Sequence, residues 1–357
     1  MIIEFVLIFI SGVYGIKFYF NSFNEDYLSK ESTLSIKGLF VLFVFCRHIK
    51  TYVESTNLLD SLFYSIDIRI GQLIVVMFLF YSGFGIAKQI QIKNKDGAYI
   101  RTFLRHRLFP VWFRFAICVG FFVILDIING DISQYSWRYI LLSFTGYVNI
   151  GNSNWFMFVT FALYAIVYLS YRPFNFKNSY SNLIIMTVLS IILLIALYLL
   201  KGDDRSWWNT LLCFPLGMWY AYFQDKIEKH MRKPKEYYPT AIALLIVLLV
   251  LLALYNTLDT TGLSFIIVSL VFALVVVALT MKIKIGNKIL DFFGKHIFSI
   301  YILQRIPMKI FKDVFSNKYL YLIVSFAITI AISVGYDYVC DNVKSLINRK
   351  RSALNKQ

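Results

Sequence analysis

Apolar runs of about 20 residues, parted by short polar stretches, follow one another along the whole chain. Windows of about 19 residues place them near 2–20, 37–57, 70–88, 108–126, 154–171, 182–200, 207–223, 239–256, 262–281, 296–311 and 319–340. Each approaches the roughly 20 residues a helix needs to cross a hydrocarbon core of ~30 Å. The pattern predicts an all-α, polytopic integral membrane protein with about eleven transmembrane helices. The stretch 136–150 is apolar but short and carries Trp137, Arg138 and Tyr147, so it is expected to be re-entrant or interfacial, roofing a cavity.

Composition strengthens this picture. With 59% hydrophobic residues the chain has more apolar surface than a water-soluble domain of 357 residues can hide, and no stretch is left over for a soluble domain. Its formal charge of +16 would point to nucleic acid in a soluble protein. Here the basic residues are split among short loops, where they act as topology signals, and no nucleic-acid partner is expected. With the N-terminus outside, the inward-facing segments hold 25 of the 36 Lys and Arg residues and the outward-facing ones nine, with Arg47 and Arg114 inside spans. The tenth span is needed for the basic tail Asn348–Arg351 to stay cytoplasmic. Ile2–Phe20 lacks a basic leader and contains Glu4, so it reads as a span and not as a signal peptide.

Cys46, Cys118, Cys213 and Cys340 stand singly, without metal-ligand spacing, and are expected to be reduced structural thiols; no metal site is expected. No repeat or Pro/Gly-rich linker divides the chain. The expected organisation is an extra N-terminal helix and cytoplasmic loop (1–34), one membrane domain (35–340) and a basic cytoplasmic tail (341–357). That tail leaves no room for a further catalytic domain after the last span.

Candidate chemistry begins in the second span, where Lys37 sits at the inner boundary and His48 eleven residues later. At ~1.5 Å per residue they stand about 16 Å apart along the helix, with His48 near the bilayer midplane. A histidine there faces a cavity and acts as general base, or bonds to a neighbouring helix as structural glue. Arg47 points about 100° from His48, off its face, toward the lipid headgroups or an anionic acceptor. Further on, Arg101, Arg105, His106 and Arg107 lead into Pro110. Guanidinium groups suit bidentate phosphate recognition, so this patch is a candidate for a nucleotide-bearing donor, or else for simple retention charge.

Taken in order, these segments resemble the membrane acyltransferase 3 family. Lys37 to His48 is similar to the family's basic residue, ten-residue gap and histidine, with Lys in place of the usual Arg. Met77 to Gly85 resembles its aromatic-rich segment ending in Ser-Gly-Phe, where Ser82 and Gly83 permit close backbone approach. Arg101 to Pro110 resembles its arginine loop, and Asn154-Trp155-Phe156 its Trp-Phe signature. Gly294 to Gln304 resembles a segment that often ends in histidine; Gln304 stands in that place and speaks against a proton-carrying role there. The likeness spans roughly residues 35 to 340, the family's ten-span core preceded by one added helix.

The resemblance implies an O-acetyltransferase that moves acetyl from cytoplasmic acetyl-CoA, a co-substrate and not a bound cofactor, to a hydroxyl of an extracytoplasmic or lipid-linked glycan. His48 would be general base or acyl carrier, and Lys37, Arg101, Arg105 and Arg107 would hold the donor. Arg47, Ser82, Trp155 and Gln304 would contact acceptor or acyl group. Richness in Ile, Lys, Asn, Tyr and Phe points to an AT-rich bacterial genome, hence to a capsular or cell-wall glycan at the plasma membrane. The alternative is a transporter or flippase of a lipid-linked saccharide, without bond-making. The carboxylate partner of His48, among Glu54, Asp67, Asp126 and Asp131, and the choice between monomer and homo-oligomer stay open.

Overall fold

The computed structural model describes residues 2–53, 61, 72–94, 97–172, 179–258 and 262–354. The first apolar stretch forms only a short helix, α1 (Ile2–Val13), because Gly15 turns the backbone at φ 80°. Past this turn, β1 (Lys17–Phe18) pairs antiparallel with β2 (Ile283–Lys284), tying the beginning of the chain to a segment far along it.

Helices dominate the rest. In chain order they are α2 (Lys30–Ile49), α3 (Leu73–Lys93), α4 (Phe109–Ile128), α5 (Trp137–Ser143), α6 (Trp155–Tyr171), α7 (Ser179–Lys201) and α8 (Cys213–Met231). They continue as α9 (Pro234–Leu258), α10 (Ser264–Thr280), α11 (Lys288–Lys295), α12 (Ile297–Leu303), α13 (Arg305–Phe311) and α14 (Lys318–Leu354). Among the described residues six helical stretches are long and apolar enough to cross a membrane, and α6 and α10 are shorter apolar helices. α9 turns Ile242, Leu245, Ile246 and Leu249 outward, which suits contact with lipid. The short stretch 136–150 contains α5, capped by the Ser136 hydroxyl accepting from the Tyr139 amide at 3.2 Å, and then irregular chain.

The single span expected over 296–311 is broken at His296 and at Gln304 into α12 and α13. Pro307 has no N–H to give the carbonyl four residues back, so the helix cannot run unbroken through Gln304. At the start of α4, Pro110 is preceded by a wide π turn, Leu104–Leu108, closed by the Phe109 amide on the Leu104 carbonyl.

Close packing rests on backbone touching backbone. A Cβ at Gly83 of α3 would lie 2.1 Å from the Phe214 carbonyl oxygen, and one at Gly217 of α8 would lie 2.1 Å from that of Phe80. Gly38 of α2 meets α11 in the same way, at the Leu290 carbonyl. Glycine here lets helices approach so closely that no side chain fits between them, the usual device where the solvent is lipid. These two contacts fix α2 and α3, the helices that carry most of the candidate chemistry.

Candidate functional site

α2 is capped by Ser29, whose hydroxyl accepts from the Ser32 amide at 3.1 Å, and carries Lys37 about two turns in and His48 in its last turn. Each faces its own cavity. The Lys37 cavity holds about 260 Å³, and its walls include Tyr81, Ser82, Phe156, Tyr164 and Tyr301. It is largely aromatic. The Lys37 Nζ lies 5.5 Å from the centre of the Tyr81 ring, and Ser82 Oγ and Tyr164 Oη share a hydrogen bond of 3.1 Å. The Tyr81 hydroxyl is buried with no hydrogen-bond partner among the described residues.

The His48 cavity is larger, about 340 Å³, and polar: its walls include Arg47, Asn152, Trp155, Asp204 and Arg305. Asparagines shape the loop on one side. Asn152 Oδ1 accepts from the Ile150 amide at 3.1 Å, and Asn154 Nδ2 donates to the Gly146 carbonyl at 3.0 Å. Arg305 Nε donates to Ser153 Oγ at 3.1 Å, bringing α13 onto the same loop. His48 Nδ1 is buried and has no hydrogen-bond partner among the described residues. A polar atom left so costs stability unless something else binds it.

Tyr301 belongs to both cavities. Its ring centre lies 6.1 Å from that of His48 and 5.5 Å from that of Phe156, and its hydroxyl is buried without a partner among the described residues. One side chain therefore stands between an aromatic chamber at the Lys37 end and a polar, net cationic chamber at the His48 end.

The expected site residues divide between these chambers. Lys37 and Ser82 line one; His48 and Trp155 line the other. Arg47 also lines the His48 cavity, although it lies about 100° away on α2, because the cavity is wide enough to span two helix faces. Gln304 reaches neither: it is fully buried, and its amide donates to the Tyr301 carbonyl at 3.1 Å. Arg101, Arg105 and Arg107 are exposed, and Arg107 Nε donates to Tyr99 Oη at 3.2 Å. Tyr99 packs on Phe103 and Phe103 on Tyr164, so the arginine turn adjoins the wall of the Lys37 cavity.

Of the carboxylates considered for His48, Glu54 and Asp67 lie outside the described residues. Asp126 is fully buried and ion-paired with Lys309, and Asp131 lies 3.9 Å from the same lysine. The acid in the His48 cavity is Asp204, which accepts from Trp207 Nε1 at 2.9 Å. Replacing Lys309 with methionine strands the fully buried Asp126 carboxylate and is expected to cost about 3–5 kcal/mol. The paired change Asp126→Leu with Lys309→Met should recover most of it. Thermal unfolding in detergent reads both.

Tyr301, Asp204, Asn152 and Arg305 were not singled out from the sequence. Tyr301 and Arg305 do flank Gln304 in the late segment, polar groups in an apolar run, and that was the available signal. A second polar cluster joins α4, α12 and α14: Asp337 binds Arg114, Ser299 Oγ at 2.5 Å and His296 Nδ1 at 2.6 Å. It holds α12, and with it Tyr301, against its neighbours.

A family model described as an acyltransferase domain matches residues 35–338. No curated protein and no solved structure matches the chain.

Proposed function

Since the chain belongs to the membrane acyltransferase 3 family, we propose that it transfers acetyl from cytoplasmic acetyl-CoA to a hydroxyl of an extracytoplasmic bacterial glycan. The observation that carries this reading is the pair of cavities parted by Tyr301, one lined by Lys37 and the other by His48, eleven residues apart on α2. The excess of basic residues supports a cytoplasmic Lys37 end and a His48 end outside the plasma membrane.

Arg101, Arg105 and Arg107 hold the donor's phosphates by charge-assisted hydrogen bonds, with Lys37 at the cavity entrance. The aromatic chamber takes the uncharged arm that leads to the thioester. The acceptor enters the polar chamber, where Asn152, Asp204 and Trp155 offer hydrogen bonds and a ring face to a sugar.

In the transfer the acceptor oxygen attacks the thioester carbonyl carbon. A C–O bond forms, the C–S bond breaks, and His48 takes the hydroxyl proton and returns it to the departing sulfur, releasing coenzyme A as the thiol. Arg47 and Arg305 favour the negative charge that builds on the carbonyl oxygen. Transfer through an acetyl-imidazole on His48 uses the same residues, with the histidine nitrogen attacking first and the hydroxyl second.

Release of free coenzyme A by purified protein, with acetyl-CoA and a crude envelope glycan fraction, tests the reading. Glycan-dependent thiol release is the expected result; a flippase or carrier gives none. Alanine at both Arg105 and Arg107 should raise KM for acetyl-CoA about tenfold or more, with a smaller change in kcat.

A further inference from the structure

The walls of the polar chamber keep buried polar atoms that have no hydrogen bond among the described residues: His48 Nδ1, Gln72 Oε1, Asn152 Nδ2 and Tyr301 Oη. Each costs stability until something bound there engages it. The first three residues line that chamber alone. Tyr301 lines the aromatic chamber as well, so a group that reaches from one chamber to the other meets its side chain.

Everything else about Tyr301 is held in place. Gln304 Nε2 donates to its carbonyl at 3.1 Å, and Cys118 Sγ donates to the carbonyl of Ile302, the next residue, at 2.9 Å. These two side chains fasten the backbone where α12 ends, just ahead of Pro307. Two residues before Tyr301, Ser299 is bound to Asp337. Phe156 packs against the ring in an edge-on contact. A fastened backbone, a packed ring and an unengaged hydroxyl make a hydrogen-bond donor that is in position before any ligand arrives.

The transfer supplies the acceptor that this donor lacks. With the thioester arm in the aromatic chamber and His48 acting from the polar one, the thioester stands at their junction, beside Tyr301. Its carbonyl oxygen becomes anionic as the acceptor attacks, which is when a fixed donor is worth most. Tyr81 also has a buried hydroxyl without a partner among the described residues, but it lines the aromatic chamber alone, next to Lys37.

Resting on the acyl-transfer reading, we infer that Tyr301 is a further catalytic residue, whose hydroxyl donates a hydrogen bond to the thioester carbonyl oxygen and stabilises the charge that builds there. The proton stays on Tyr301 Oη throughout, and His48 alone carries the proton that passes from the acceptor hydroxyl to the departing sulfur. Gln304, which holds the Tyr301 carbonyl, is a positioning residue.

Tyr301→Phe keeps the ring and removes only the hydroxyl. In purified full-length protein, with acetyl-CoA and a crude envelope glycan fraction, kcat for coenzyme A release is expected to fall about 10²-fold or more, while KM for acetyl-CoA changes less than about threefold. The melting temperature in detergent should hold or rise by about 1–2 °C, because the hydroxyl that is lost had no bond to lose. A dithioester analogue of acetyl-CoA, with sulfur in place of the carbonyl oxygen, reads the contact itself, since sulfur is a weak acceptor. The ratio of kcat with acetyl-CoA to kcat with the analogue should be about tenfold or more smaller in the variant than in wild type.

Equal kcat in wild type and Tyr301→Phe overturns the proposal and leaves the transfer reading standing. A clearly lowered melting temperature, or a loss of kcat with an unchanged ratio, makes the hydroxyl structural and overturns the proposal as well. Wild type that releases no coenzyme A with any acceptor fraction removes the transfer reading and the proposal with it.

Discussion

His48→Ala lowers glycan-dependent release of coenzyme A by about 10²–10⁴-fold while the protein stays folded. The imidazole faces the polar chamber and its Nδ1 is buried without a partner among the described residues, whereas the chamber's carboxylate, Asp204, is already engaged by Trp207 Nε1. The loss should fall on kcat, because the proposed donor site is the arginine turn, away from His48. Steady-state kinetics with both substrates varied distinguish the two. A variant with unaltered kcat would show that His48 is structural, bridging helices and taking no part in transfer.

Gly83→Leu leaves no folded protein to purify. The leucine Cβ would lie 2.1 Å from the Phe214 carbonyl oxygen, and that obstacle is backbone, which cannot swing aside as a side chain can. Overpacking a core commonly costs about 1–3 kcal/mol when side chains can adjust, and this contact allows no such adjustment. Gly85, two residues along on α3, has nothing within 4 Å of its Cβ position, so Gly85→Leu is the matched control and should purify normally. Size-exclusion profiles of the two variants make the comparison. A monodisperse Gly83→Leu peak with an unchanged melting temperature would mean that α3 and α8 are not in backbone contact.

The close approach at Gly83 was legible in the sequence, since small residues in an aromatic-rich apolar run have little other use. So were the helices, from their period and length, and the separation of Lys37 and His48 along one helix, which needs only the rise per residue; their place in it was not, since the helix runs Lys30–Ile49 and sets His48 at its end and not at mid-span. Contacts between helices were not legible. Nothing in the spacing of Asp126 and Lys309 marks them as a pair, and that pairing removed a supposed partner of His48. Asp204 was hidden for the same reason, because it reaches the cavity from the loop after α7.

Helix breaks were partly legible. Pro307 announces the interruption at Gln304, yet hydropathy windows average across it and return one span where the chain forms short helices. That interruption gives Tyr301 and Arg305 separate helices, so that one divides the chambers while the other binds the asparagine loop. Arg47 shows a limit of the helical wheel: 100° on a helix separates faces only when the space beside them is narrow.

Proteoliposomes with the glycan acceptor sealed inside and radiolabelled acetyl-CoA added outside test most directly whether the two chambers work as one path across the membrane. Label on the enclosed glycan, absent in His48→Ala vesicles, is the predicted result. Label that appears only when donor and acceptor share the same side would contradict it.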